Sequence, residues 1–266
     1  VVQRISLTID NGVAEVRLDR ADKMNALDAA MMDAIVDCGA TLQATPGLRA
    51  VVLFGAGRAF CAGLDRSEFE GMIAGEIGIA KDLARRTHGL ANKPQQVALL
   101  WRELPVPVIA AVHGVAFGGG FQLMLGADIR LVAPDTSLSI METKWGLVPD
   151  MGGIALMRLM ARDDVIRELT YTARPFNAAE AVSFGFATRI AADPYAEAMT
   201  LARAIAERNP DAIRAAKRLI NLSAGSDPAA ILTAESLEQQ ALIGSRNQIE
   251  AVRANIERRS PDFIDP

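Results

Sequence analysis

The stretch Val106-Pro107-Val108-Ile109-Ala110-Ala111-Val112-His113-Gly114-Val115-Ala116-Phe117-Gly118-Gly119-Gly120 decides the fold. Its first half is a short apolar run rich in β-branched residues, which reads as a buried strand. That strand opens onto three consecutive glycines, followed by a short helix at about 120–126 and a strand around Ile129–Ala133. Consecutive glycines cost conformational entropy and bury no side chain, so they call for a reason. One reason is a crossing point where another backbone comes very close. The other is chemical: N–H groups at a helix N-terminus lack internal partners and carry partial positive charge, which suits an anion or a developing oxyanion. Both readings stay open on this stretch alone.

Upstream, Ile5, Leu7 and Ile9 alternate, Asn11-Gly12 supplies a type I′ turn, and Val13 to Leu18 returns as the second arm of a hairpin. Asp28 is placed to cap a helix carrying Met32, Ile35, Val36 and Leu42, and Pro46-Gly47 breaks it. Arg49 to Phe54 then reads as a strand buried on both faces. It runs into a second glycine-rich turn, Gly55-Ala56-Gly57-Arg58-Ala59-Phe60-Cys61-Ala62-Gly63-Leu64-Asp65. A dinucleotide-binding G-x-G-x-x-G fails there, because Phe60 holds the third glycine position and no amphipathic helix opens at Gly57. Gly55 and Gly57 read as a tight turn. Residues 68–103 are polar and weakly periodic, which fits either a helix or a mobile lid. Beyond Gly152 the chain reads as mostly helical, with caps at Asn177 and Asp193 and a break at Asn209-Pro210. Strands mixed with helices and then helices alone predict an α/β core with a helical tail. We place the core at residues 1–195 and a helical C-terminal region for oligomerisation at 196–266.

The composition narrows the function classes. A chain of 266 residues, half of them apolar, is one large domain or two small ones and needs no disulfide or metal staple. Aromatics at 5% beside 21 glycines predict packing through small residues and close backbone approaches. A net charge of −4 argues against nucleic acid or an anionic membrane surface as a general partner. Two cysteines, Cys38 and Cys61, are too few for a disulfide framework and point to a reducing, cytoplasmic setting. No run approaches the roughly twenty apolar residues of a membrane span, and Val1-Val2-Gln3-Arg4-Ile5 shows no secretory apolar segment.

Taken jointly, several motifs are far more specific than any one. Asp22-Lys23-Met24-Asn25-Ala26-Leu27, Ala59-Phe60-Cys61-Ala62-Gly63-Leu64-Asp65, and Pro107 to Gly114 running into Gly118-Gly119-Gly120 resemble, in order and spacing, the enoyl-CoA hydratase/isomerase (crotonase) family. Gly146-Leu147-Val148-Pro149, Ala178-Ala179-Glu180-Ala181 leading to Gly185, and the tail from Glu250 to Phe263 extend the likeness over nearly the whole chain. The resemblance implies an α/β crotonase spiral of ββα turns with a helical C-terminal trimerisation region, assembled as a trimer or hexamer. It implies an acyl-CoA thioester as substrate, with CoA entering as part of the substrate and no separate cofactor. By position, the backbone N–H groups of Leu64 and Gly119 form an oxyanion hole. Lys23, Met24, Ala26, Ala62, Gly63, Asp65, Gly118 and Trp145 fall where the family binds CoA or substrate, Lys23 near the phosphates. Lys23 also reads as an ordinary solvated lysine.

The acids decide the reaction. The resemblance implies two glutamates in hydratases; the second matches Glu142, but the first falls on Gln122. A glutamine can position water and cannot take its proton, which weakens a two-carboxylate hydration. Eight residues after Glu142 stands Asp150, where the family's dienoyl-CoA isomerases carry a working aspartate. A Glu142–Asp150 pair in one apolar pocket would couple, as a proton-relay isomerisation requires. The other reading of Asp150 is a cap for the helix beginning near Gly152. Isomerisation is therefore favoured over hydration by Glu142 alone, with a catalytically weak acyl-CoA-binding protein as the reading from another class.

Other residues carry less. Trp145 reads as the floor of the acyl pocket or as a core or interface residue. His113 reads as satisfying backbone groups, and His88 has no nucleophile to serve. No zinc set and no serine-peptidase elbow can be assembled. By the resemblance, Phe263 packs near a neighbouring subunit's adenine and Arg258 and Arg259 approach a phosphate; the arginines also read as a solvated helix end.

Overall fold

Ile5 and Leu7 alternate along β1 (Ile5–Asp10), Asn11 and Gly12 turn with φ of 48° and 76°, and β2 (Val13–Leu18) returns antiparallel. Positive φ at both central residues is the type I′ geometry. This computed structural model describes residues 4–76, 78 and 82–266. The readings made on Val1 to Gln3, and on 77 and 79–81 within the 68–103 segment, lie outside the described residues. Among the described residues β3 (Ala50–Gly55), β4 (Val108–Val112), β6 (Ile129–Val132) and β9 (Arg189–Ile190) extend the hairpin into a six-stranded sheet. Its order is β1-β2-β3-β4-β6-β9, parallel beyond the first pair. A second sheet joins β5 (Val115–Phe117), β7 (Ser137–Ser139) and β8 (Phe176–Asn177).

The central strands are apolar on both faces because both faces are covered. Val51 and Leu53 of β3 and Val108, Ala110 and Val112 of β4 enter the main core. There they join residues of α1 (Ala29–Gln43), α3 (Lys93–Glu103) and α4 (Gly119–Leu125). The alternate residues Ala50, Val52, Ile109 and Ala111 face α8 (Pro194–Ala206), which presents Ala198, Met199, Ala202 and Ala206. Alanines on both sides let helix and sheet approach closely, which is how a chain with few aromatics fills this layer. A boundary drawn between 195 and 196 falls inside this helix, so α8 belongs to the α/β core.

The caps predicted at Asp28, Asn177 and Asp193 are formed. Asp28 accepts from the Met31 N–H at 2.7 Å, Asn177 and Glu180 make a capping box, and Asp193 and Asn209 open the helices that follow them. The 68–103 segment takes in most of α2 (Arg66–Ile73) and, beyond Asn92 with its own capping box, α3, whose Val97, Ala98 and Trp101 are fully buried. Between β6 and α8 lie the 3-10 turn Glu142–Trp145, α5 (Gly153–Met157), α6 (Asp163–Thr172) and α7 (Ala178–Phe184). Three elements differ from the sequence reading: Val115–Phe117 is a strand rather than part of a glycine turn, and the two-residue strands β8 and β9 interrupt the helical third. All three result from pairing with distant partners, which local periodicity does not encode.

The chain closes with α9 (Pro210–Ser223), α10 (Pro228–Leu242) and α11 (Arg246–Glu257). Lys217 of α9 reaches inward, where its Nζ donates to the carbonyls of Trp101 and Val106 and to Asp128 at 3.0, 2.8 and 2.7 Å. One buried ammonium thus ties α9 to the end of α3 and to the start of β4 and β6. No described helix is long and apolar enough to cross a membrane.

Candidate active site

Two turns meet where β3 and β4 leave the sheet. The Phe60 N–H donates to the His113 carbonyl, that of Cys61 to Val115, and that of Phe117 back to Cys61, at 2.9–3.1 Å. This short parallel ladder lays the first glycine-rich turn along the second. It works only because side chains are absent at the crossing. A Cβ on Gly120 would lie 2.3 Å from the Cys61 carbonyl oxygen, and one on Gly63, whose φ is +89°, 2.5 Å from that of Phe117. The triple glycine therefore serves as the crossing point that the sequence left as one of two readings.

The same approach bears on the other reading. On the far side of the turn, Leu27 donates to the Gly63 carbonyl and Asp65 donates to that of Leu27, which turns the intervening Leu64 N–H away from this bridge. Gly119 is the first residue of α4, where a helix has no internal acceptor for the N–H. Among the described residues neither the Leu64 nor the Gly119 N–H makes a hydrogen bond. Both residues line a cavity of about 370 Å³, and the Gly119 nitrogen is 3.5 Å from the Cβ position of Gly63. Two unpartnered donors on one cavity are what an oxyanion requires.

Glu142 begins the 3-10 turn after β7 and is buried, its Oε1 lying 3.4 Å from the Cβ position of Gly118. That oxygen accepts from Gln122 Nε2 at 2.5 Å, while Oε2 is buried with no partner among the described residues. Gln122 Oε1 in turn accepts the N–H groups of Met151 and Gly153, both at 2.9 Å. Burial pushes the Glu142 carboxyl above its usual range; the Gln122 hydrogen bond opposes this and the charge of Asp150 adds to it. Asp150 lines the same cavity, and burial of its carboxyl raises its pKa as well. It is not the cap of α5: Gly152 holds that position, with no side-chain cap.

Of the other expected binding residues, Ala62, Gly63, Gly118 and Trp145 line the cavity. Trp145 is 53% exposed and stacks on Phe69 of α2 at 4.7 Å, so it forms a wall at the mouth rather than a core residue. Lys23, Met24, Ala26 and Asp65 are not on the lining. Lys23 is solvent-exposed, whereas the Met24 carbonyl accepts the Ala62 N–H and so shapes the turn. The side chain of Asp65 caps α2 through Ser67 and pairs with Arg20. Against the cost of burial, Ser67 and Arg20 hold its carboxyl below the usual range. Among the described residues His113 has no side-chain partner; its Nε2 lies 2.9 Å from the Gly57 carbonyl. Arg259 is engaged by Glu250 and Glu257, and the tail folds back on its own chain through Arg49–Asp265 and Asn247–Ile264.

The apolar character of the rest of the lining was not read from the sequence. Met32, Phe69, Met72, Leu83, Met141, Leu147, Val148 and Met151 make the cavity apolar, with Gln122, Glu142 and Asp150 as its polar side chains. Asn25 was likewise missed: fully buried, it donates to the carbonyls of Ala56, Ala59 and Phe60 and accepts from the Arg20 N–H.

Residues 8–266 match the family model described as enoyl-CoA hydratase/isomerase. The chain is 32% identical to the mitochondrial Delta(3,5)-Delta(2,4)-dienoyl-CoA isomerase of Mus musculus, over 95% of this chain and 79% of that protein. It is also 32% identical to carnitinyl-CoA dehydratase of Proteus mirabilis, over 98% of both. Among solved structures, enoyl-CoA hydratase from Bacillus anthracis superimposes with a TM-score of 0.86 at 28% identity, covering 98% of this chain and 99% of that one.

Proposed function

The chain belongs to the enoyl-CoA hydratase/isomerase family, and from that premise we propose that it moves a carbon–carbon double bond in a dienoyl- or enoyl-CoA thioester. The thioester oxygen sits between the N–H groups of Leu64 and Gly119. Glu142 Oε2 removes a proton from the acyl chain, and the electron pair delocalises onto that oxygen as an enolate. The two N–H groups stabilise the charge as it develops, a contribution of about 10²–10³ in rate per donor. Protonated Asp150 then returns a proton at another carbon, and the double bond has shifted with no net gain or loss of atoms. Burial raises both carboxyls and the charge of Asp150 adds to the rise at Glu142, the direction in which an acid is held ready to return a proton.

The observation that carries this reading is the unpartnered, buried Glu142 Oε2 on one cavity with Asp150 and the two free N–H groups. Hydration needs a group that takes the proton of water, and the Gln122 oxygen already accepts two N–H groups. The isomerase and dehydratase relatives are equally identical to this chain, so identity does not choose between them. CoA enters only as part of the substrate, and no cofactor is required for two proton transfers. The same reading includes self-association through the C-terminal helices, where Ile220, Leu232, Leu237 and Ile243 are 62–66% exposed.

The test is turnover on a panel of 3-enoyl-, 2,4- and 3,5-dienoyl- and 2-enoyl-CoA esters. Asp150→Asn is expected to lower isomerisation kcat by about 10²–10⁴ while KM changes little. Unchanged isomerisation refutes the relay. Water addition by the parent without isomerisation establishes the hydratase instead. If Glu142→Ala alters no turnover while CoA esters still bind, the chain is a binding protein.

A further inference from the structure

The position that separates this site from a two-carboxylate one is also its most connected. Gln122 lies on α4, fully within the protein, and its carboxamide has one assignable orientation. The N–H groups of Met151 and Gly153 converge on the same oxygen, so that atom is the carbonyl and the amide nitrogen must face Glu142. A Cβ on Gly153 would stand 2.5 Å from that oxygen, so the turn is drawn tightly onto the amide. The turn in question carries Asp150 immediately before Met151. Met151 in turn lays its sulfur 2.7 Å from the Cβ position of Gly119, against the residue whose N–H faces the thioester.

We infer that Gln122 is the positioning residue of this site: one neutral amide fixes the Glu142 carboxylate, the Asp150 turn and the Met151 contact on Gly119. By occupying Oε1 of Glu142 it leaves Oε2 as the one oxygen free to exchange a proton with substrate. It does so without adding a second carboxylate beside Glu142, so Glu142 and Asp150 are the two acids on the cavity lining. In the family pattern the same position holds a glutamate that handles water; here the amide gives up that chemistry and supplies alignment. The kinetic consequence rests on the isomerisation reading, while the alignment of Glu142 does not.

Two variants test this, and each is read in two ways. Gln122→Glu keeps an acceptor for both N–H groups and so preserves the turn, but sets a carboxyl oxygen 2.5 Å from that of Glu142, where the pair must share a proton. Gln122→Met keeps the volume and removes every hydrogen bond. The first readout is the Glu142 carboxylate band in infrared titration of the free protein, assigned by subtraction of Glu142→Gln. Asp150 is the charged group acting on Glu142, and it is unchanged in both variants. The midpoint is expected to rise by a unit or more in both. The second readout is turnover of the panel, with kcat expected to fall at least tenfold and KM to stay within about threefold. A titration midpoint and kcat that match the parent in Gln122→Met, with the protein folded, overturn the inference. If the midpoint moves but the parent shows no isomerisation, positioning stands and the isomerisation reading falls. Gln122→Glu that titrates like the parent overturns the assigned orientation of the amide.

Discussion

Gly120→Ala probes the contact on which the proposed oxyanion geometry depends. The new methyl carbon would lie 2.3 Å from the Cys61 carbonyl oxygen, 2.8 Å from its Cβ and 2.9 Å from its carbonyl carbon. Ordinary contact begins near 3.4 Å, so the two turns must open by about 1.1 Å. Neither side yields easily: Gly120 is in α4, and Cys61 is held by the Val115 carbonyl and the Phe117 N–H, both at 3.1 Å. Overpacking of this kind costs about 1–3 kcal/mol. For a chain of this size that is a fall in Tm of roughly 2–10 °C. The opening falls between the segments carrying the Leu64 and Gly119 N–H groups, so it moves one donor relative to the other. A misplacement of about 1 Å costs about 10²-fold, and loss of a donor about 10²–10³. We expect kcat/KM on the acyl-CoA panel to fall by about two to three orders of magnitude, with Tm lowered by scanning calorimetry. Gly225→Ala, whose methyl would meet nothing within 4 Å, is the control and should change neither. A folded Gly120→Ala with kcat/KM within threefold of the parent would refute the claim that this approach sets the donor geometry.

Two further outcomes follow from buried charge. The Glu142 carboxyl titrates above its usual range in the folded protein, so the fold binds its proton to higher pH than the unfolded chain does. Its stabilisation is complete below the ordinary carboxylate range and is lost as pH rises through the folded pKa. Glu142→Gln should therefore gain in Tm relative to the parent between pH 4 and pH 8, and a difference that is flat with pH contradicts the shift. Lys217→Met leaves Asp128, whose side chain is 22% exposed, without its ammonium and strips a donor from the Trp101 and Val106 carbonyls. Denaturant melts should show a loss of about 3 kcal/mol; a loss below about 1 kcal/mol would mean that the clip contributes little.

Much of the core was legible because its signals are local. Asn11-Gly12 requires positive φ, and Asp28, Asn177, Asp193 and Asn209 compete for backbone N–H groups, so each marks an element boundary wherever the chain goes. The apolar runs of β3 and β4 announce strands covered on both sides. The short strands β5, β8 and β9 were not legible, because two or three residues have no periodicity of their own and exist only through partners elsewhere in the chain.

The site divides along the same line. By itself the sequence determined which chemistry is present: the two glycine-rich turns, Glu142, Asp150, and an amide rather than an acid at 122. Residue type sets what can donate, accept or titrate, and that needs no fold. Only the tertiary structure decided what those groups do to one another. It joined the Asp65 side chain to Arg20 and Ser67, denied Asp150 its place as a cap, and spent the Gln122 oxygen on Met151 and Gly153. It also left Glu142 Oε2 without a partner. Such outcomes depend on which of several acceptors lies within about 3 Å of a donor, a distance set by strands and helices far apart in the chain.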